Sequence, residues 1–319
     1  MSPWQPWSRC SKPFANAALM HTERVKGGLA AAATFLLWGI LPIYWKELGG
    51  IPPLEVVAHR LMWTSILLVV LLALTGRLGV YRTEFRSTPQ VLSHLIRAAL
   101  LATNWLTYIW AVSHDRILEA SLGYFLVPVV NVTLGVIFLK ERLSATQVAA
   151  VCIAAIGVGF FAVNAGGLPW VPLSLALTFG FYGLLRKKAT AGALAGATIE
   201  TNFLLGFAVA WLVLLEVKGE GTFLNAPASI NLLLMGTGII TAIPLILFGY
   251  CSKRISLGMI GIFQYLAPTT KFAIGLWVYH EPFTAMQMVG FILIWTALAI
   301  YSWSGLRAHR HRPHPILPE

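Results

Sequence analysis

Residues 118–141 read LEASLGYFLVPVVNVTLGVIFLKE and residues 258–281 read GMIGIFQYLAPTTKFAIGLWVYHE. Each holds a run of roughly 20 mainly apolar residues, the length that crosses hydrocarbon as one helix. In lipid every backbone N–H and C=O needs a partner within the chain, which leaves helices or closed barrels as spanning structures. The two-residue alternation of barrel strands is absent. The two stretches also share a pattern. Pro128 and Pro268 each stand 13 residues ahead of a glutamate, Glu141 and Glu281, while Gly135 matches Gly275 and Gln147 matches Gln287, all at an offset of 140. Near the start of each half Gly39 matches Gly180, and His59-Arg60 matches Glu200-Thr201, at an offset of 141.

The remainder of the chain agrees with a lipid environment. Of 319 residues 57% are hydrophobic and only 11% charged, with a mean hydropathy of +0.74, too little polar material to coat soluble domains. Apolar runs place spans near 27–48, 54–76, 92–114, 118–139, 145–164, 170–187, 199–217, 230–251, 257–279 and 284–303. Short connectors rich in Gly, Pro and charge separate them, as at 49–53, 166–169 and 218–221. The expected fold is an all-α integral membrane protein with ten transmembrane helices as two inverted five-helix repeats. Its parts are an N-terminal tail, 1–26, a first repeat, 27–164, a second repeat, 165–304, and a basic tail, 305–319. Five is odd, so the second copy must enter the membrane from the opposite side. Halves related in this way can open to either side in turn, the build of many secondary transporters. A duplication that serves packing alone is the other reading.

Charge gives the orientation. With the N-terminus inside, Arg9, Lys12, Arg24 and Lys26, then Arg77, Arg82 and Arg86, then Lys140 and Arg142 fall in inside segments. So do Arg186, Lys187 and Lys188, Lys253 and Arg254, and Arg307, Arg310 and Arg312. The opposite side holds only Lys46, Arg116 and Lys218. Seventeen against three is the bias that keeps basic loops cytoplasmic. The net charge of +11 therefore reports orientation rather than a nucleic-acid partner. Both termini are expected in the cytoplasm of a cell whose inner (plasma) membrane holds the protein. The first 26 residues lack the apolar core of a secretory signal, and read as an uncleaved tail. A start at Met20 would leave every span complete. Cys10, Cys152 and Cys251 are too scattered for a disulfide or metal framework. The tail with His309, His311 and His314 reads as an anchor beside anionic lipid rather than a metal site.

Polar groups within the spans are the candidate site. Arg60 and Lys271 are costly in hydrocarbon and should face a cavity or a partner. For Arg60 the functional reading is contact with an anion; the structural one is a pair with Glu55 or a snorkel to the interface. His59 titrates in a useful range, and as a lone histidine it also fits a plain hydrogen-bonded role. Tyr124, Pro128, Asn131 and Gly135 fall on one face of the fourth span, and Gln264, Pro268, Lys271 and Gly275, with Tyr265 beside them, on one face of the ninth. These faces are expected to line a central substrate cavity; close helix packing is the alternative. Asn104 and Tyr108 share a face of the third span with Trp105 adjacent, and Trp105 and Trp38 suit either a pocket wall or core packing. Trp45, Trp110, Trp170 and Trp303 fit an interfacial aromatic belt. Glu119 and Glu200, near span ends, are candidates for proton coupling or for interfacial hydrogen bonding.

The same residues carry a family resemblance. LLWGILPIYWKEL from Leu36, AHRLMWT from Ala58, NWLTYIWAV from Asn104, the stretch from Leu118 and FLKERLS from Phe138 resemble the RarD branch of the EamA family in the drug/metabolite transporter superfamily. IET from Ile199, QYLAPT from Gln264 and YHEPFT from Tyr279 continue it, so the similarity spans Val25 to Trp303. It implies a ten-helix inner-membrane carrier or exporter of small metabolites, with a chloramphenicol-sensitivity label attached to the branch. Asn104, Trp105, Glu119, Tyr124, Gln264, Tyr265 and Pro268 match its motif positions. The branch commonly has Asn where Val127 stands, Pro where Gly206 stands and an uncharged residue where Lys271 stands. Losing an amide and gaining an ammonium suggests a ligand more anionic than the family norm, a hypothesis that unchanged anion binding by Lys271→Met would count against.

No Walker A string and no His/Glu metal motif is present. No cofactor is expected, and the partners are a small-molecule substrate and membrane lipids, with no nucleic acid. The leading function is a secondary active permease or exporter of small metabolites or drugs that works by alternating access, driven by a proton or substrate gradient. A polytopic membrane enzyme would need convergent acids or a nucleophile and base on one face, and Glu55, Glu119 and Glu200 lie toward different sides. A non-transporting scaffold or sensor would have no use for polar stripes in mid-membrane.

Overall fold

The computed structural model describes residues 12–84, 87–140, 144–164, 168–187, 192–251, 254–255 and 257–310. Glu141, the extreme N-terminal tail with Cys10, and the last part of the basic tail, with His311 and His314, lie outside the described residues. Among the described residues the structure is helical and contains no strand.

The helices are α1 (Lys12–Glu47), α2 (Pro53–Leu74), α3 (Leu78–Thr83), α4 (Thr88–Ser113), α5 (Ile117–Leu139), α6 (Ala145–Asn164) and α7 (Trp170–Lys187). They continue as α8 (Ala193–Lys218), α9 (Ala228–Cys251), α10 (Leu257–Gln264), α11 (Leu266–Ala273) and α12 (Ala285–Arg310), with a π-turn, Ile274–Val278, after α11. Among the described residues seven helices are long and apolar enough to cross a membrane, and Ala145–Phe160 of α6 is a shorter apolar stretch. The exterior suits lipid, with Leu29, Ile66, Phe207, Ile239 and Ile292 all exposed.

Local signals set the helix ends. α2 begins on Pro53, whose missing N–H costs nothing in a first turn. α8 stops at Gly219, which takes φ +70° and closes the last carbonyls. Ser144 and Gln147 cap α6 reciprocally, the Ser144 N–H donating to Gln147 Oε1 and the Gln147 N–H to Ser144 Oγ. Thr284 and Gln287 do the same for α12, 140 residues later. The Glu281 carboxylate caps a helix from outside, accepting the Ile117 and Leu118 N–H groups at 2.7 and 2.8 Å. Burial pushes the Glu281 carboxyl above its ordinary range, against the pull of these two donors.

Four features depart from the sequence reading. α1 begins at Lys12, inside the segment read as a tail, and α12 runs to Arg310, into the segment read as a basic tail. A short helix, α3, fills the connector after α2. The ninth apolar run is broken at Tyr265. A proline ring clashes with the carbonyl four residues earlier, and for Pro268 that carbonyl is Gln264, where α10 ends. α5 nevertheless continues through Pro128.

Packing joins helices far apart in the chain. α2 lies against α8, α6 against α12 and α5 against α11. α5 packs on α7 as α1 packs on α11, α4 on α7 as α1 on α9, and α2 on α9 as α4 on α8. Two glycines allow the closest approaches. A Cβ on Gly39 would stand 2.6 Å from Thr270 Cβ, and one on Gly180 would stand 2.6 Å from Val130 Cγ1. At one end of the bundle Glu55 accepts the Thr222 N–H and hydroxyl at 2.7 and 3.0 Å, and Lys46 pairs with Asp115.

Candidate functional site

Arg60 stands in the second turn of α2, roughly 10 Å along the axis from the helix start, and is only 5% exposed. Its guanidinium lies 3.8 Å from the Trp105 ring of α4 and 5.1 Å from the Trp45 ring of α1. Nε donates to Thr241 Oγ1 of α9 at 3.0 Å, but Nη1 is buried with no hydrogen-bond partner. Glu55 is engaged by Thr222, so the Arg60–Glu55 pair considered from the sequence does not form.

Lys271 reaches the same layer from α11 and is 4% exposed. Its ammonium rests 3.7 Å from the Tyr124 ring centre and 4.3 Å from that of Tyr108. Arg60 is close enough to Lys271 to act on it electrostatically, and Tyr108 and Tyr124 lie within the same reach of Arg60. The Tyr108 hydroxyl is buried and unpartnered. No carboxylate pairs with Arg60 or Lys271 among the described residues. Insertion scales put an Arg or Lys in mid-span at about 2.5–3.5 kcal/mol, and a cation over an aromatic face returns about 0.5–2 kcal/mol. The rings thus offset part of the cost of two neighbouring cations, and they supply no counter-charge.

The remaining candidates divide. Asn104 is structural in its bonding: Nδ2 donates to the Leu175 carbonyl at 3.1 Å and Thr178 Oγ1 at 3.0 Å, and Oδ1 accepts the Tyr124 hydroxyl at 3.0 Å. It thereby fixes the Tyr124 ring under Lys271. His59 is buried against Phe223, ring centres 5.0 Å apart, and neither ring nitrogen has a partner. Trp38 packs on Phe35 and Phe248 rather than on a cation. Pro268 is buried, while Pro128 and Gln264 are half-buried. Tyr265 lines a separate open cleft of about 400 Å³ with Thr269, Trp295 and Ser302. Asn131 is exposed beside Gly183. It shares the Tyr124 face but lies seven residues, roughly 10 Å, further along α5, which is why one stripe serves two depths.

The two acids sit in ion pairs. Glu119 accepts from Arg116 twice at 2.7 Å. Glu200 is fully buried and takes Arg97 at 2.9 Å, Arg186 at 3.0 Å and the Tyr182 hydroxyl at 2.9 Å. Trp45 corrects an expectation: it is 0% exposed and stacks on Arg60 instead of joining an interfacial belt. Trp170 and Trp303 are exposed, as a belt requires. Thr241 and Arg97 also carry polar contacts that the sequence reading did not single out, since neither has a pattern that names its partner.

The comparisons with known proteins converge on one family. The sequence profile of the EamA-like transporter family matches residues 25–163. An "Uncharacterized transporter YojE" of Bacillus subtilis is 39% identical over 296 residues, covering 92% of this chain and 98% of the relative. The chain belongs to the EamA-like transporter family. "Protein RarD" of Escherichia coli is 38% identical, with 89% of this chain and 96% of the relative aligned. A "Chloramphenicol-sensitive protein RarD" of Pseudomonas aeruginosa is 32% identical over the same shares. A solved crystal structure at 19% identity, covering 90% of this chain and 98% of its own, superposes with a TM-score of 0.57, a likeness of fold. Family and apolar helices together make this an integral membrane protein of a transporter family.

Proposed function

We propose that this EamA family member is a secondary active carrier of a small metabolite or drug-like solute, built from ten membrane-crossing segments in two inverted halves. The segments are α1, α2, α4, α5 and α6 in one half and α7, α8, α9, the α10–α11 pair and α12 in the other. The observation that carries this reading is that contacts persist when the halves are exchanged. Swapping α1 with α7, α2 with α8, α4 with α9, α5 with α11 and α6 with α12 turns α5·α7 into α11·α1, α4·α7 into α9·α1 and α2·α9 into α8·α4. The glycine approaches obey the same exchange, Gly39 on Thr270 and Gly180 on Val130, as do the caps Ser144/Gln147 and Thr284/Gln287.

Such a pair of halves can rock about the layer where they meet. Arg60 with Trp105 and Tyr124 from one half, and Lys271 from the other, lie in that layer. On the Tyr124 face of α5, half-burial at Tyr124 and Pro128 gives way to exposure at Asn131, and Glu55–Thr222 and Glu281–Leu118 contacts close the opposite end. This supports a form closed on the side of the Lys46, Arg116 and Lys218 connectors and opening toward the basic side. The basic bias makes that side cytoplasmic, with both termini there, in the cell's inner membrane. Coupling is to a proton or solute gradient, with no cofactor in the cycle and no chemistry on the solute.

A thermal-shift screen of amines, amino acids, organic acids and drugs, followed by uptake of radiolabelled hits into sealed vesicles, tests the reading. Saturable flux that requires the protein and responds to a gradient is expected. Hits that bind but never cross would contradict transport.

A further inference from the structure

Arg60 and Lys271 form a charge-rich layer without a counter-charge among the described residues. Both side chains are more than nine-tenths buried, and both come from helices on opposite sides of the contact between halves. Arg60 stays protonated in proteins and keeps a buried Nη1 without a partner, while the Tyr108 hydroxyl, on the ring under Lys271, is buried and unpartnered too. The Lys271 ammonium makes no hydrogen bond or ion pair among the described residues. Other cations of this chain are treated differently: the buried Arg97 and the half-buried Arg186 converge on Glu200, and the half-buried Arg116 holds Glu119. The ring faces of Trp45, Trp105, Tyr108 and Tyr124 surround the two cations with flat apolar surface.

We propose that this layer is the binding site of a small organic oxyanion, a carboxylate or phosphate ester with an aromatic or otherwise flat apolar body. Arg60 and Lys271 take the anionic oxygens from the two halves, Tyr108 adds a hydroxyl, and the body lies against the indole and phenol rings. A guanidinium presents paired donors that match the two oxygens of a carboxylate or phosphate, while an ammonium adds a point charge. Because one cation belongs to each half, the anion would bridge them. That makes it a ligand able to favour one arrangement of the halves over another. This inference rests on the carrier reading for its biological sense, but binding itself does not require transport.

The test is a thermal-shift titration of the purified protein in detergent with phthalate, benzoate, phenyl phosphate and benzamide at pH 7.5. The body is nearly constant across these probes and the charge is not. Saturable stabilisation is expected from the anions, greatest for the doubly charged ones, and none from benzamide. Phthalate against phenyl phosphate then tells carboxylate from phosphate. Lys271→Met should weaken anion binding about thirtyfold or more, as loss of one partner of a desolvated charge pair does, and Lys271→Arg should restore most of it. Arg60→Gln should do likewise, and the Lys271 pair carries the test if that variant does not fold. Equal stabilisation by benzamide, no stabilisation by any anion, or parental anion binding by Lys271→Met overturns the proposal. Anion binding without flux in vesicles would count against the carrier reading alone. Protein-dependent flux of neutral or cationic solutes with no anion binding would count against the oxyanion site alone.

Discussion

Glu200 and Arg60 stand on equivalent turns of α8 and α2, and the chain treats their charges in opposite ways. Glu200 sits beside two guanidinium groups and a phenol, so the charge it buries is answered within the protein. Among the described residues Arg60 and its neighbour Lys271 are answered only by a hydroxyl and by ring faces. The frame around them is common to both halves: the same glycines, the same reciprocal caps, the same exchanged contacts. On the proposed inverted-repeat reading, the duplication kept its packing and let the chemistry of the two sites diverge. One site is built to hold the halves in place, and the other lacks a partner that a solute can supply.

This contrast can be broken first at Glu200. Glu200→Gln leaves the buried Arg97, and the half-buried Arg186 beside it, without a carboxylate, and should cost about 3–5 kcal/mol, seen as a large fall in the thermal midpoint of the purified protein. A fall no larger than that of a surface variant would mean the cluster is not structural. The shared frame is sharpened by Gly39→Leu and Gly180→Leu. Each forces side-chain atoms into the opposite half and should lower stability by about 1–3 kcal/mol, by similar amounts. Unequal effects would argue that the two approaches are not equivalent. Ser144→Ala and Thr284→Ala, measured the same way, should each remove about 1 kcal/mol of capping. The smallest effect is expected at the unbalanced site. Lys271→Met, which replaces an uncompensated buried cation by an apolar chain of like length, should leave stability without solute within about 1 kcal/mol or raise it. A strong loss would show that Lys271 has a structural partner.

Much of the fold was legible in the sequence because lipid leaves so few choices. A run such as 118–139 has one way to satisfy its backbone there, and α5 matches it to within a residue. The pairing of Gly39 with Gly180 could be read for a related reason, since a glycine required at a close approach survives divergence of its neighbours. The break at Tyr265 could not be read: Pro128 and Pro268 are the same residue in matched positions, and only packing separates the helix that continues from the one that stops. Of the residues that the structure brings together in the Arg60–Lys271 layer, Arg60 and Lys271 stood out in the sequence by their cost in hydrocarbon, Tyr124 by the polar face of its span, and Trp105 and Tyr108 by their place beside Asn104. Trp45 was missed because, one residue before Lys46, it carries the ordinary signature of an interfacial belt; its burial comes from stacking on Arg60 across the bundle. Asn131 shows the converse, a face correctly placed but at another depth.

Central to this account is relative motion of the two halves about the Arg60–Lys271 layer, and locking one seam tests it most directly. With Cys10, Cys152 and Cys251 replaced by serine, Glu55→Cys and Thr222→Cys can be cross-linked where α2 meets the connector after α8. Exchange of the solute selected by the thermal-shift screen is then followed in sealed vesicles. Cross-linking should slow exchange about tenfold or more, with recovery on reduction. Undiminished exchange by fully cross-linked protein would contradict it.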